Sequence, residues 1–90
     1  MRIIGKDYKT YSIPTNNTNV LIIAADNGFL GCGYINVEVA NKVGDACAIV
    51  TGVQTPEDML EAHVIAVSDA AAGLGIKKGM IGTEALLLMS

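Results

Sequence analysis

The chain has 90 residues, of which 51% are hydrophobic and 17% are charged, and its formal net charge is −3 at neutral pH. This length suits one domain with one hydrophobic core. An average soluble domain carries about 25% charged residues, and a small domain has proportionally more surface to cover with polar groups. The shortage of charge therefore predicts that the protein covers part of its surface by self-association.

Three classes of protein are excluded by the same composition. The longest apolar runs are Val20–Ala25 and Ala85–Met89, whereas a membrane-spanning helix needs about 20 residues. The first residues turn polar at Lys6 without the apolar stretch of a signal peptide. We therefore expect a soluble, cytoplasmic protein with reduced cysteines. An acidic balance, scattered Lys and Arg, one Phe and no Trp argue against nucleic-acid binding.

The first third of the chain is typical of strands. Residues 1–13 predict one or two short strands with a turn at Gly5-Lys6-Asp7, and the polar stretch Pro14–Asn19 predicts a loop. Asn27-Gly28 separates two apolar runs, which predicts a hairpin with a type I′ turn and positive φ at both positions. The first arm, Val20–Ala25, is apolar on both faces. We expect helices to cover one face and another subunit the other.

The second half of the chain combines helix starts with short apolar runs. Its predicted elements are a helix over Val37–Val43 capped by Asn36 and ended by Gly44, a buried strand within Ala46–Thr51, a helix that begins at Thr55-Pro56, a helix or helix end at Ser68–Leu74, and a last helix over Ala85–Met89. The segment His63–Val67 suits a strand or a continuing helix. Strands precede helices, which predicts an α+β fold in which a small N-terminal antiparallel β region with a hairpin is followed by short helices packed on one face.

An ordered set of short motifs resembles a known family. The set comprises Asp26-Asn27-Gly28, Cys32-Gly33 with Asn36, Gly52-Val53 with Thr55, Gly75-Ile76-Lys77, Gly79-Met80, Gly82 and Glu84-Ala85-Leu86-Leu87. From about residue 20 onward the chain resembles the YunC-like family of bacteria and archaea, a domain of unknown function. Gly31 departs from the family, where a bulkier apolar residue is common.

The resemblance implies one domain over residues 1–90 and a tetramer. Residues 1–35 would be mainly β and would carry the tetramerisation contacts, and residues 36–90 would be mixed and mainly helical. No catalytic residue is implied, because the biochemical role of the family is not established.

Cys32 is the candidate reactive group. It lies between Gly31 and Gly33, late in a predicted strand and shortly before a capped helix, and flanking glycines allow a ligand to approach closely. Cys32, Gly33, Asn36 and Asp26 are therefore the candidate ligand-binding residues. The alternative for Cys32 is a small buried hydrophobe. For Asn36 the first interpretation is a helix cap, and for Asp26 it is a hydrogen bond to the hairpin turn. A ligand contact is the second interpretation of both residues.

Other residues are weaker candidates than Cys32 for a functional role. Cys47 lies in an apolar run and is predicted to be a core residue. His63 is the only histidine, so one chain predicts no metal cluster, and the glycines near the end lack the Gly-Lys-Ser/Thr of a phosphate loop. A Cys32–His63 nucleophile–base pair is chemically sensible, although nothing in the sequence places the two side chains together. No cofactor is indicated.

Three hypotheses about function remain open at this point. The preferred one is a homo-oligomer, a tetramer by resemblance, that is structural or binds a small ligand near Cys32, Gly33 and Asn36. The second is a thiol-dependent enzyme in which Asp26 or His63 assists Cys32. The third is an accessory subunit that docks on a larger enzyme.

Overall fold

Seven short strands and four short helices make up the fold, and the computed structural model describes all residues from Met1 to Ser90. In chain order they are β1 (Arg2–Ile3), β2 (Lys6–Asp7), β3 (Lys9–Pro14), β4 (Asn19–Ala24), β5 (Phe29–Gly31), α1 (Val37–Val43), β6 (Cys47–Ile49), α2 (Pro56–Glu61), β7 (Ala66–Val67), α3 (Asp69–Gly73) and α4 (Gly82–Leu88). None of these helices is both long enough and apolar enough to cross a membrane.

A five-stranded sheet in the order β3-β4-β5-β6-β7 organises the chain, and β1 and β2 form a separate hairpin. Neighbouring strands of the large sheet are antiparallel except β5 and β6, which are parallel and are joined through α1. The α+β class and the hairpin are confirmed. The sheet also includes two strands from the second half of the chain, β6 and β7. The segment His63–Val67 does not continue α2, which stops at Glu61, and its last two residues form β7.

The two faces of the sheet are covered unequally. On one face, Leu21, Ile23 and Leu30 pack with α2, α3 and α4 in the main core. On the other face, Cys47 and Ile49 pack against Ala40 of α1 in a smaller cluster. Alternate residues of a strand point to opposite faces, so α1 lies across the sheet from the other three helices. The expectation that all the helices share one face therefore needs this correction for α1.

Part of the second face is left open over β3 and β4. Tyr11 pairs with Ile22 across the two strands, and residues directly opposite each other share a face of the sheet. Tyr11 is 47% exposed and Ile13 is 58% exposed, and α1 packs against β6 rather than here. We call Tyr11, Ile13, Ile22 and Ala24 the open face. Within one chain, β4 is thus covered on one side only.

The β4–β5 turn is not of the predicted type. Ala24 pairs with Phe29, the backbone N–H of Ala25 donates to Gly28 O at 2.8 Å, and neither Asn27 nor Gly28 has a positive φ. The type I′ prediction is wrong because a four-residue loop does not need left-handed positions. Gly28 instead allows the loop to pack closely against Met89, since a Cβ at position 28 would lie 2.5 Å from Met89 Sδ.

Left-handed backbone occurs at the β1–β2 turn. Ile3 pairs with Lys6, and the two residues between them, Ile4 and Gly5, have φ of 46° and 78°. This is the pattern of a type I′ turn. A β-branched residue at positive φ is an outlier that costs about 1 kcal/mol. No sequence rule places isoleucine there, and the hairpin on either side holds Ile4 in this conformation.

Candidate functional site

A cavity of about 280 Å³ lies at the edge of the sheet where β5 and β6 end, and it is lined by Thr18, Asn19, Cys32, Gly33, Tyr34, Thr51, Gly52 and Val53. The carboxyl ends of β5 and β6 meet at this edge because the two strands are parallel. Crevices outside the carboxyl ends of parallel strands are the usual ligand sites of open α/β sheets. The start of β4 lies at the same edge because β4 runs antiparallel to β5.

Two glycines, Gly33 and Gly52, line this cavity, and a third, Gly31, lies next to it at the end of β5. A Cβ on Gly33 would lie 3.3 Å from Thr51 Cγ2, so the two walls approach closely at that point. Gly52 has a φ of 73°, which lets the chain turn away after β6. A Cβ on Gly31 would lie 2.7 Å from Ile35 Cγ1. The side chain of Ile35 therefore fills the space that a bulkier residue at position 31 would occupy.

Cys32 combines the two environments considered for it. It is 5% exposed, and it also lines the cavity. Its Sγ accepts a hydrogen bond from the backbone N–H of Leu21 at 3.3 Å, and its own N–H donates to Leu21 O at 3.1 Å. No His, Asp, Glu, Lys or Arg lines the cavity. One chain therefore offers no general base to the thiol within its own cavity.

The proposed assistants of Cys32 lie elsewhere. Nδ1 of the exposed His63 is 2.9 Å from Gly79 O, and the backbone of His63 bridges to Ile81. Asp26 precedes β5 whereas Cys32 follows it, so the two lie at opposite ends of that strand. The side chain of Asp26 forms no hydrogen bond to the turn. Asn27 anchors the loop instead, because its N–H donates to Met89 O at 2.7 Å.

Asn36 is confirmed as the N-cap of α1. Its Oδ1 accepts a hydrogen bond from the N–H of Glu38 at 2.8 Å, and the helix ends at Gly44 with a φ of 83°. Asn36 does not line the cavity. Of the four candidate ligand residues, Cys32 and Gly33 line this cavity, Asn36 lines a neighbouring cavity together with Gly33, and Asp26 lies at the opposite end of β5.

The opposite wall of the cavity, Thr51-Gly52, was missed from the sequence. Its signal is a polar residue and a glycine shortly after a buried strand: Thr51-Gly52 follows β6 after one intervening residue, Val50, and Cys32-Gly33 follows β5 directly. The two pairs become one site only when β5 and β6 are known to be parallel neighbours. Thr18 and Asn19 were assigned to a loop, and they join the site through the register of β4.

Cys47 is confirmed as a core residue. It is fully buried, and burial raises the pKa of its thiol to about 11, with the negative charge of Asp45 as the smaller cause. Its backbone N–H donates to Ser68 Oγ at 2.8 Å. Both thiols are free, so the chain contains one cysteine at a cavity and one in the core.

We expect iodoacetamide to label Cys32 but not Cys47 in the folded protein at pH 8. The thiolate is the reacting form, and only about 0.1% of a thiol with a pKa of about 11 is ionised at that pH. Peptide mass spectrometry after timed quenching measures both rates. In guanidinium chloride both cysteines should react. Equal labelling of the two thiols in the native state would contradict the assignment.

No group of three or more His, Cys, Asp or Glu side chains comes together in a way that could hold a metal ion. The side chains that could bind a metal are therefore dispersed over the chain, and the polar residues that line the cavity are uncharged.

Comparisons with known proteins agree with this fold. The family model described as Domain of unknown function (DUF1805) matches residues 31–89, which include both glycine-containing walls. The uncharacterized protein YunC of Bacillus subtilis (strain 168) is 35% identical over 91 residues, covering 97% of this chain and 90% of that protein. The crystal structure of a protein of unknown function, TA1206, from Thermoplasma acidophilum superposes with a TM-score of 0.94 at 36% identity, covering 100% of this chain and 88% of that one. The predicted resemblance is confirmed, and the chain belongs to the YunC-like DUF1805 family.

Proposed function

We propose that the protein works as a homo-oligomer that binds a small ligand in the cavity at the carboxyl ends of β5 and β6. The observation that carries the ligand half is the cavity itself, whose lining side chains are uncharged and make no hydrogen bonds within the chain, apart from Cys32. The open face supports the other part of the proposal, the homo-oligomer. Both cysteines are free thiols, in keeping with a reducing compartment such as the cytoplasm.

The open face has the composition of a subunit interface. An aromatic and two branched aliphatic residues, Tyr11, Ile13 and Ile22, lie side by side on β3 and β4, and aromatic residues are enriched in interface cores. Pairing this face with its copy would supply the missing cover for β4. The arrangement suits an isologous contact, in which the same surface serves both subunits.

A second apolar area lies around α1. Val39 and Val43, one turn apart on that helix, are 56% and 66% exposed, and Tyr34 and Ile65 are 59% and 51% exposed. A tetramer with dihedral symmetry needs two different self-complementary contacts. Two apolar areas therefore support the tetramer that the family resemblance implies.

The double substitution Tyr11→Glu and Ile13→Glu should reduce the assembly to smaller species. Both side chains are already about half exposed in one chain, so the fold should tolerate the change, whereas buried unpaired carboxylates would oppose the contact. Light scattering coupled to size exclusion gives the mass. Four copies of 9.4 kDa would give about 38 kDa.

Ser12→Glu is the matched control, because Ser12 is exposed on the same strand but points to the other face. Its mass should stay at that of the unsubstituted protein. If the unsubstituted protein has a mass of 9.4 kDa at micromolar concentration, the oligomer proposal fails. An intact oligomer in the double variant would move the contact away from the open face.

The ligand half is tested by amide resonances. Saturable shifts of the Gly33 and Gly52 signals on adding small polar fragments would support a site in the cavity. If a broad set of neutral and charged fragments leaves both signals unmoved, the cavity binds no small molecule and this half of the proposal fails.

One observation favours a second candidate, a thiol-dependent activity at Cys32. Cys32 lines the cavity, and its Sγ accepts a hydrogen bond from the Leu21 N–H. The base would have to come from the substrate or from another subunit. The open face could equally serve an accessory subunit that docks on a larger enzyme, and purification of the protein alone as a stable oligomer would favour self-assembly instead.

A further inference from the structure

We infer that the cavity binds the oxyanion end of its ligand, a carboxylate or a phosphate, through backbone amides of the two segments that follow β5 and β6. This inference rests on the proposed ligand site and names the chemical class that the site would take. Its first basis is a set of free donors. The N–H groups of Gly33, Tyr34, Thr51, Gly52 and Val53 have no acceptor within the chain.

These amides belong to two turn segments that face each other across the cavity. Gly33 and Tyr34 are the central residues of a turn closed by the N–H of Ile35, which donates to Cys32 O at 3.0 Å. Gly52 has a φ of 73° and follows Thr51 directly. Successive N–H groups in turns and at left-handed positions form concave anion sites in proteins. Two such segments lining one cavity can hold one oxyanion from both sides.

The side chains at the cavity add neutral donors. Thr18, Asn19 and Thr51 line it, and their side chains form no hydrogen bond within the chain. In contrast, Asn36 and Thr55 each accept a backbone N–H as helix caps. The polar groups at the cavity are exposed or half-exposed, so a ligand can take the place of water on them.

The charge balance of the lining is compatible with an anionic ligand. No Asp or Glu lines the cavity, so no fixed negative charge repels an anion there. No Lys or Arg lines it either, so recognition depends on N–H and O–H dipoles at short range. A volume of about 280 Å³ lies at the small end of ligand sites. The fitting ligand is a small molecule with one carboxylate or phosphate end.

Amide resonances in ¹H–¹⁵N spectra test the inference with sodium acetate, sodium phosphate and acetamide as probes. Ionic strength is held constant with sodium chloride. We expect acetate or phosphate to shift the Gly33, Thr51 and Gly52 signals to saturation, with a dissociation constant at least about tenfold below that of acetamide. The stronger of the two anions identifies the carboxylate or the phosphate as the preferred end.

Thr51→Val removes one hydroxyl at nearly constant volume and leaves the backbone amide in place. We expect about tenfold weaker anion binding in this variant. Thr10→Val is the matched control, because Thr10 lies on β3 away from the cavity, and its affinity should be unchanged. Dispersed spectra of both variants show that they are folded. Equal affinity in the two variants, together with Gly33 and Gly52 signals that the anion leaves unmoved, would place the anion outside the cavity and overturn the inference.

The outcomes separate this inference from the proposed function. If acetamide binds as well as acetate and phosphate, the oxyanion class is wrong while the ligand cavity stands. If the anions shift only residues outside the cavity, the inference is overturned. If neutral fragments also leave the Gly33 and Gly52 signals unmoved, the proposed ligand function fails with it.

Discussion

Replacing Gly82 with alanine is expected to lower the free energy of unfolding by at least about 3 kcal/mol. Gly82 is the buried first residue of α4. Its N–H donates to Ala62 O at 2.9 Å, so the backbone at this point is held in place. A Cβ here would overlap the carbonyl oxygen of Met59 and would lie 2.9 Å from Leu30 Cδ2. Because a carbonyl oxygen cannot rotate out of the way as a side chain can, α2 and α4 would have to move apart.

Chemical denaturation followed by circular dichroism measures this loss. Gly73→Ala is the matched control, because Gly73 is a helical glycine of α3 with nothing within 4 Å of a Cβ position and no positive φ. Alanine there should stabilise the protein by about 0.5 to 1 kcal/mol, since it restricts the unfolded chain and favours the helix. The two glycine substitutions should thus have opposite signs. If Gly82→Ala behaves like Gly73→Ala, the α2–α4 contact is not as close as described.

Replacing Ser68 with alanine should cost about 2 to 4 kcal/mol. Ser68 is the only buried polar residue of the chain, with no exposed surface. Its Oγ accepts from the N–H of Cys47 at 2.8 Å and of Ala71 at 3.3 Å and donates to Asp45 O at 2.8 Å. Removing the hydroxyl leaves the N–H of the fully buried Cys47 without a partner, and an unsatisfied buried donor costs more than an average hydrogen bond contributes.

Thermal and urea unfolding of Ser68→Ala measure this effect. Ser12→Ala is the control, since Ser12 is exposed on β3 and its side chain forms no hydrogen bond within the chain. That substitution should stay within about 0.5 kcal/mol of the unsubstituted protein. A similarly small effect at Ser68 would mean that water or another group replaces the hydroxyl.

Local chemistry made several elements predictable from the sequence. Asn36 and Thr55-Pro56 begin helices because their side chains or ring satisfy the first turn by themselves, whatever the rest of the chain does. The apolar run at Ala46–Thr51 indicated burial, its residues 46–50 are buried, and its central residues form β6. These features depend on residues within a few positions of one another.

Features that depend on distant residues were not predictable in the same way. Gly28 suggested a tight turn, but it serves the approach of Met89, which no local pattern reveals. The assignment of α1 to the second face follows from which face of β6 it meets. For the site, the sequence singled out Cys32 and Gly33, but Thr51 and Gly52 join them only through the parallel pairing of β5 and β6.

The contact between the β4–β5 loop and the last residues affects how the chain is made. Asn27 Nδ2 donates to Ser90 O, 63 positions later, and α4 with its C-cap supplies Leu86 and Met89 to the core that covers Leu21 and Ile23. A ribosome adds roughly 5 to 20 residues per second. The apolar hairpin therefore emerges several seconds before the helix that covers it, and the core face of β4 is uncovered during that interval.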